Sequence, residues 1–346
     1  MIDKNYCCAS YLAFRYVLDD NKNFKDGLHH QVFRQIEDDK KCLVETAADI
    51  DVFLQKQFNK LKDKKLGILL SGGMDSAILA SYMKGQVAYT FRFLGGEYQK
   101  DELQRAELFA KKYDLELHYV DINWETIEKN LFEIFKHKHA PCHSIEPQIV
   151  AAAKQAKEDG IEIMIIGDGA DYVFGGMDGL LAKDWCYDEF VNRFIYINPN
   201  DVLTESSDIL QIFEQYRLPG NKIDFLKIMD TITIDESYSS YKNAFETADL
   251  QYLDPYEILK MKNALDLERI RNGESKYLIR ELFRIKYPEF DVPNKNPMPR
   301  PVDFYFADWA GPTRKEFKPN LDITKFTGNQ KWLIWCLEQF LNEIEN

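Results

Sequence analysis

Two stretches of this chain carry residues of the right type and spacing for phosphate chemistry. The first is Ser71-Gly72-Gly73-Met74-Asp75-Ser76. Its glycine pair lets the backbone turn tightly, so that several N–H groups can point at one anion. A helical pattern follows from Ala77, and a helix start adds partial positive charge. Ser71 and Ser76 can add hydroxyl donors. Asp75 offers a hard oxygen where a magnesium ion could sit between protein and phosphates. No lysine follows the glycines, which sets the stretch apart from the lysine-bearing loop of P-loop nucleotidases. The second stretch is Asp168-Gly169-Ala170-Asp171, followed by Gly175-Gly176. It brings two carboxylates to the end of an apolar run, and Asp75 with Asp171 makes a plausible magnesium-binding pair.

Such groups need a frame that brings them together. Apolar runs at residues 66–70, 87–93, 115–122 and 162–167 read as strands. Residues 43–61, 101–113, 126–136 and 147–158 read as helices, with Pro147 suited to a first turn. Alternating strands and helices predict an α/β fold, a parallel sheet flanked by helices. Ligands of such sheets sit beyond the carboxyl ends of the strands. The loops after Leu70, Phe93, Ile122 and Ile166 are therefore expected to converge, and strand-end residues Thr90, Phe91 and Gly167 are candidates for adenine. Beyond about Leu180 the strand signal fades. Helices are expected at 208–216, 223–233, 255–265, 276–285 and 330–344, with 288–301 a loop. The division predicted is an N-terminal segment (1–42), an α/β domain that carries both phosphate-suited stretches (43–180) and a mainly helical C-terminal extension that completes the site (181–346).

Composition narrows the function. The chain has 346 residues, 45% hydrophobic and 29% charged, with a net charge of −13. An acidic surface argues against nucleic acid and anionic membranes as partners. No apolar run approaches a membrane span, and residues 1–5 start no signal-peptide core. Six cysteines without framework spacing predict reduced thiols and a cytoplasmic setting.

The first stretch resembles the SGGxDS pyrophosphate loop of ATP pyrophosphatases. With the second, IGDGADYVFGGM, the chain resembles the synthetase domain of the asparagine synthetase family, whose second signature is close to SGEGSDExFGGY. Tyr98-Gln99-Lys100-Asp101-Glu102 with Ala106, Leu253-Asp254-Pro255, the stretch GESKYLIR at 273–280 and Pro293-Asn294-Lys295 are similar to further family segments. The resemblance runs from about Tyr11 to Pro301. It implies an adenine nucleotide alpha hydrolase-like fold, with ATP and magnesium as cofactors. It also implies an amide-forming reaction, in which a substrate carboxylate attacks the α-phosphate, pyrophosphate leaves, and an amine or ammonia attacks the acyl-adenylate. On this resemblance Ser71, Gly72, Gly73, Asp75 and Ser76 hold the pyrophosphate. Lys295 is the catalytic cation, with Arg300 the nearby alternative, and Asp168 stands for a family glutamate that serves as base and substrate contact.

Three departures matter. Ile2, not cysteine, follows Met1, so the glutaminase domain is expected to be absent and nitrogen to come free, from a separate glutaminase, or from another amine. Asp168 is shorter than the family glutamate. Tyr172 replaces a glutamate near the amino acid substrate, which predicts that free aspartate is a poor substrate and a bulkier carboxylate a better one. The segment 137–143, ending in His143, is crowded for a zinc site and is expected to contact substrate. An intramolecular synthetase of the β-lactam-forming kind and a non-catalytic nucleotide-binding module are the competing readings. A tRNA-thiolating enzyme would need paired reactive cysteines and a more basic surface.

Overall fold

Short runs that are apolar on both sides can be buried on both faces, and three of them form the centre of a five-stranded parallel sheet with mixed, partly exposed strands at its edges. β1 (Leu66–Leu69), β2 (Val87–Phe93), β3 (Glu116–Ile122), β4 (Ile163–Ile165) and β5 (Gln251–Leu253) lie in the order β3-β2-β1-β4-β5, each pair parallel. The protein is seen in a computed structural model that describes residues 1–31, 33–94, 99–294, 298 and 300–345. Leu66, Ile68, Leu70, Ala88 and Ile165 turn to one face, into a core with α2 (Ala47–Lys60), α3 (Met74–Ala80) and α4 (Lys100–Lys112). Tyr89, Val120, Met164 and Ile166 turn to the other, toward α5 (Trp124–Lys138) and α6 (Glu146–Glu158). This is the alternation of a pleated strand.

Local chemistry fixes the helix starts. Thr46 Oγ accepts from Asp49 N–H while the Asp49 carboxylate accepts from Thr46 N–H, a reciprocal cap on α2. Asn123 caps α5 by accepting from Thr126 N–H at 2.8 Å. Pro147 stands in the first turn of α6, as expected.

The C-terminal part is mainly helical, with four differences from the sequence expectation. It supplies β5, although no further strand is expected beyond Leu180. Residues 255–265 form one 3₁₀ turn (Pro255–Ile258) and then a strand (Leu259–Met261), not a helix. That strand is captured by parallel pairing with Cys42–Val44, which itself replaces the start of the expected 43–61 helix. Residues 208–216 form a 3₁₀ helix over Leu210–Tyr216. The 223–233 helix instead continues through a π turn (Met229–Thr233) into α7 (Ile234–Thr247). Near the ends of the chain, α8 (Tyr277–Lys286) and α9 (Gly328–Glu345) match expectation within a few residues. The N-terminal segment forms α1 (Lys4–Phe14), whose residues 7–14 are all buried in one core with α9.

The connections place the site. The chain runs outward from β1 to β2 and β3, then returns to the far side of β1 as β4. Adjacent loops leaving β1 and β4 in opposite directions open a crevice at the carboxyl edge. The two phosphate-suited stretches follow β1 and β4.

Candidate active site

The loop after β1 is folded on itself. Ser71 N–H donates to Ser76 Oγ at 3.0 Å, the two hydroxyls lie 3.0 Å apart, and Gly73 N–H donates to Ser71 Oγ at 3.1 Å. Gly72 is pressed against α4: a Cβ there would lie 2.7 Å from the Glu102 carbonyl oxygen. Arg105 Nε donates to Gly72 O at 2.9 Å, tying the same loop to the same helix. Across the crevice, Gly176 N–H donates to Asp171 O at 2.7 Å, and a Cβ at Gly176 would collide with the Asp171 carboxylate. Both glycines are thus required by close approach.

Asp75 and Asp171 face each other, as their pairing in sequence predicts, with a cation between them. Lys276 Nζ lies 2.6 Å from Asp75 Oδ2 and 2.8 Å from Asp171 Oδ1. The side chain is only 3% exposed and its backbone is left-handed (φ 51) just before α8. Burial works against the ammonium, but the two carboxylates outweigh it and hold the lysine protonated above its ordinary range. The two carboxylates line the cavity and are the hard oxygen type that a phosphate-borne magnesium ion takes, while the point on which they converge is held by Lys276 Nζ. Tyr256 O–H donates to Asp75 O at 3.1 Å and steadies the backbone beneath.

One cavity is lined by Ser71, Gly72, Gly73, Asp75, Ser76, Thr90, Phe91, Gly167, Asp168 and Asp171, so every nucleotide candidate lies together. Gln99, Glu102, Arg105 and Tyr241 join them. Asp168 accepts from Ser237 Oγ at 2.5 Å. Behind it, Asp254 accepts from Gly169 and Tyr256 N–H at 2.7 and 2.9 Å. Burial, with the charges of Asp254 and Asp168 added, pushes the neighbouring Glu257 carboxyl up to about 9.

A second chamber adjoins the first and shares Asp171 and Met298 with it. His143 and Arg300 line this chamber rather than the nucleotide cavity. Tyr172 lies edge-on to Tyr238, ring centroids 6.0 Å apart, and is among the lining residues of neither. Lys295 lies outside the described residues. Sequence reasoning left Lys276, Arg105 and Arg15 without a role. Only Lys276 had a signal, as the lysine of the GESKYLIR match.

The family model for asparagine synthase matches residues 56–254, the segment that carries β1 to β5 and both phosphate-facing loops. The chain belongs to the asparagine synthase family. Over 115 residues it is 32% identical to a provisionally assigned glutamine-hydrolysing asparagine synthetase of Methanocaldococcus jannaschii. The match takes in 32% of this chain and 21% of that protein, so the chain spans about a fifth of the curated relative's length. Among solved structures, the U34-tRNA thiolase NcsA of Methanococcus maripaludis is 14% identical, with 77% of this chain and 92% of that chain covered and a TM-score of 0.28. NMN synthetase of Francisella tularensis is 15% identical, with 71% and 98% covered and the same TM-score. Scores of that size bear on neither reaction nor partner. Membership in the asparagine synthase family rests on the matched segment. Among the described residues no helix is long and apolar enough to cross a membrane.

Proposed function

We propose that the protein is an ATP-dependent, AMP-forming ligase that adenylylates a carboxylate and passes it to ammonia or an amine. The observation that carries this reading is the opposition of Asp75 and Asp171 across Lys276 at the mouth of the pyrophosphate loop. Adenine would lie against the strand ends at Thr90, Phe91 and Gly167. The triphosphate would lie on the Ser71–Ser76 turn, where the serine hydroxyls would exchange their mutual hydrogen bond for phosphate oxygens. Asp75 and Asp171 would hold a magnesium ion, which when bound neutralises charge on the leaving pyrophosphate. Lys276 keeps the two carboxylates at a fixed separation and offsets their repulsion. Asp168, which accepts from Ser237 Oγ, would take a proton from the incoming amine. Lys295 is proposed as the cation over the reacting phosphate on the family resemblance alone. The setting proposed is cytoplasmic, with a small-molecule carboxylate as substrate and nitrogen arriving free or from a separate glutaminase.

The test is product analysis with ATP, ammonium and a panel of carboxylic acids. AMP and pyrophosphate are expected; ADP and phosphate would overturn the reading. Asp75→Asn and Asp171→Asn should each cost about 2–4 kcal/mol of transition-state stabilisation, as for comparable electrostatic groups. With Tyr172 where the family has glutamate, the α-ammonium of aspartate loses a natural partner. Free aspartate should therefore react poorly, and a kcat/KM on the order of 10⁴ M⁻¹s⁻¹ for it would show that the substitution is tolerated.

A further inference from the structure

The second chamber encloses about 750 Å³, within the roughly 300–1,000 Å³ of sites that hold drug-sized ligands. Its inner wall holds two arginines from distant parts of the chain. Arg15 Nη1 and Arg300 Nη1 both donate to Nε2 of His143, at 2.6 and 3.0 Å. The imidazole is buried, and burial together with the charges of Arg15, Arg300 and Lys138 keeps it neutral, so its lone pair is available to both. Two guanidinium groups therefore lie within a few ångströms of each other.

Their compensation is incomplete. Arg15 is paired with Glu236 at 2.7 Å and lies over the Tyr196 ring at 4.0 Å. Its Nε is buried without a hydrogen-bond partner. Arg300 has His143 and, at 3.4 Å, Ser144 Oγ, but no carboxylate within ion-pair distance among the described residues. Arg193 adds a further positive charge to the lining. The other carboxylate of the chamber, Asp171, is already engaged by Lys276. With Glu236 paired to Arg15 and Asp171 to Lys276, Arg300 is left short of a negative charge, and a buried cation without a partner is costly. A planar fork beside a second fork suits a carboxylate or phosphate, which can accept from both.

We propose that the substrate is an acid with two anionic ends: the reacting carboxylate meets the nucleotide near Asp171, and a second carboxylate or a phosphate is clamped by Arg15 and Arg300. This rests on the ligase reading for the reacting end only. The neutral His143 is a positioning residue that holds the two arginines at one spot. Its own place is set by the Cys142 carbonyl, which accepts from Tyr11 O–H at 2.7 Å and Trp332 Nε1–H at 3.1 Å.

The test is a binding measurement, with the full chain saturated by a non-hydrolysable ATP analogue. Calorimetric titrations would use α,ω-dicarboxylates of increasing length, monocarboxylates of the same lengths, and ω-phosphonocarboxylates. At one length the dianion should bind at least about tenfold tighter than the monoacid, as expected for a charge-assisted clamp. Arg300→Gln and Arg15→Gln should each reduce that preference to about threefold or less, and Arg300→Lys should retain part of it. If Arg15→Gln fails to fold, the two Arg300 variants decide. Equal binding of mono- and dianions, no binding of any acid, or a preference that survives Arg300→Gln would overturn the proposal. Tighter binding of the phosphonates assigns a phosphate to the clamp, and the reverse assigns a carboxylate. The titration reads no turnover. Dianion binding without pyrophosphate release would sink the ligase reading and leave the clamp, while release with monoacids alone would do the opposite.

Discussion

The nucleotide cavity and the chamber beside it touch at Asp171 and Met298 but are held in different ways. The cavity is made by turns that leave neighbouring parallel strands, so the sheet's hydrogen bonds fix its walls. Its two facing carboxylates share a cation from within the wall: Lys276 contacts Asp75 and Asp171 together. The chamber is assembled from α1, the turn after α5, α7 and the residues around Arg300, none of them bonded to one another as strands. Its charges are left open, with Arg300 lacking a carboxylate among the described residues. A wall that every reaction cycle must reuse carries its own cation. A wall that must choose its guest is left for the guest to balance.

That contrast can be broken most strongly at Lys276. Replacing Lys276→Met removes the buried ammonium between two carboxylates, and should cost about 3 kcal/mol of stability, the lower end for a broken buried pair because both carboxylates keep contact with the cavity's water. Pyrophosphate release should fall with it. Denaturant unfolding within about 0.5 kcal/mol of wild type would show that the wall is not balanced by this lysine. The next effect is steric. Gly72→Ala sets a methyl against the backbone of α4 at Glu102, and strain of this kind typically costs about 1–3 kcal/mol. ATP affinity should drop while dianion binding in the chamber stays close to wild type, and equal losses in both would mean the two regions are one mechanical unit. The last effect is electrostatic and is read as a slope against pH. Glu257 is held protonated at neutral pH, its carboxyl pushed from 4.5 to about 9 by burial first and by Asp254 and Asp168 next. A raised acid favours the folded state below its unfolded value and loses that contribution as pH climbs through the folded one. Stability should therefore decline between about pH 4.5 and 9, and Glu257→Gln should flatten the decline. An unchanged slope in thermal melts across that window would show that Glu257 is already ionised.

How far the chain could be read follows the same divide. β1 to β4 and α2 to α6 announce themselves by apolar runs and helical spacing, and with them come the positions of Asp75, Asp171, Thr90, Phe91 and Gly167. β5 is three residues long and partly exposed, too short for a pattern. α7 buries Glu236, Ser237, Ser239 and Ser240, polar residues that erase an apolar stripe. α1 is buried on every side, so it has no amphipathic rhythm to detect. Lys276 looks like a solvated helix cation until folding places it between two carboxylates far away in sequence. Arg15 had no local signal at all, because its meaning comes from His143 and Arg300.

The burial of α1 also has a consequence for how the molecule is built in time. Its eight consecutive buried residues sit in one core with α9, more than 300 positions further along the chain. Closing so long a loop is entropically slow and cannot begin before its far end exists. α1 is therefore among the last of these elements to dock, and Arg15 follows directly at its end. The sheet and the turn after β1 need only residues up to Leu253, so they can assemble earlier in synthesis, before Lys276 arrives between the two carboxylates. A chain caught in that interval would present a formed phosphate loop beside a chamber that cannot yet hold an anion.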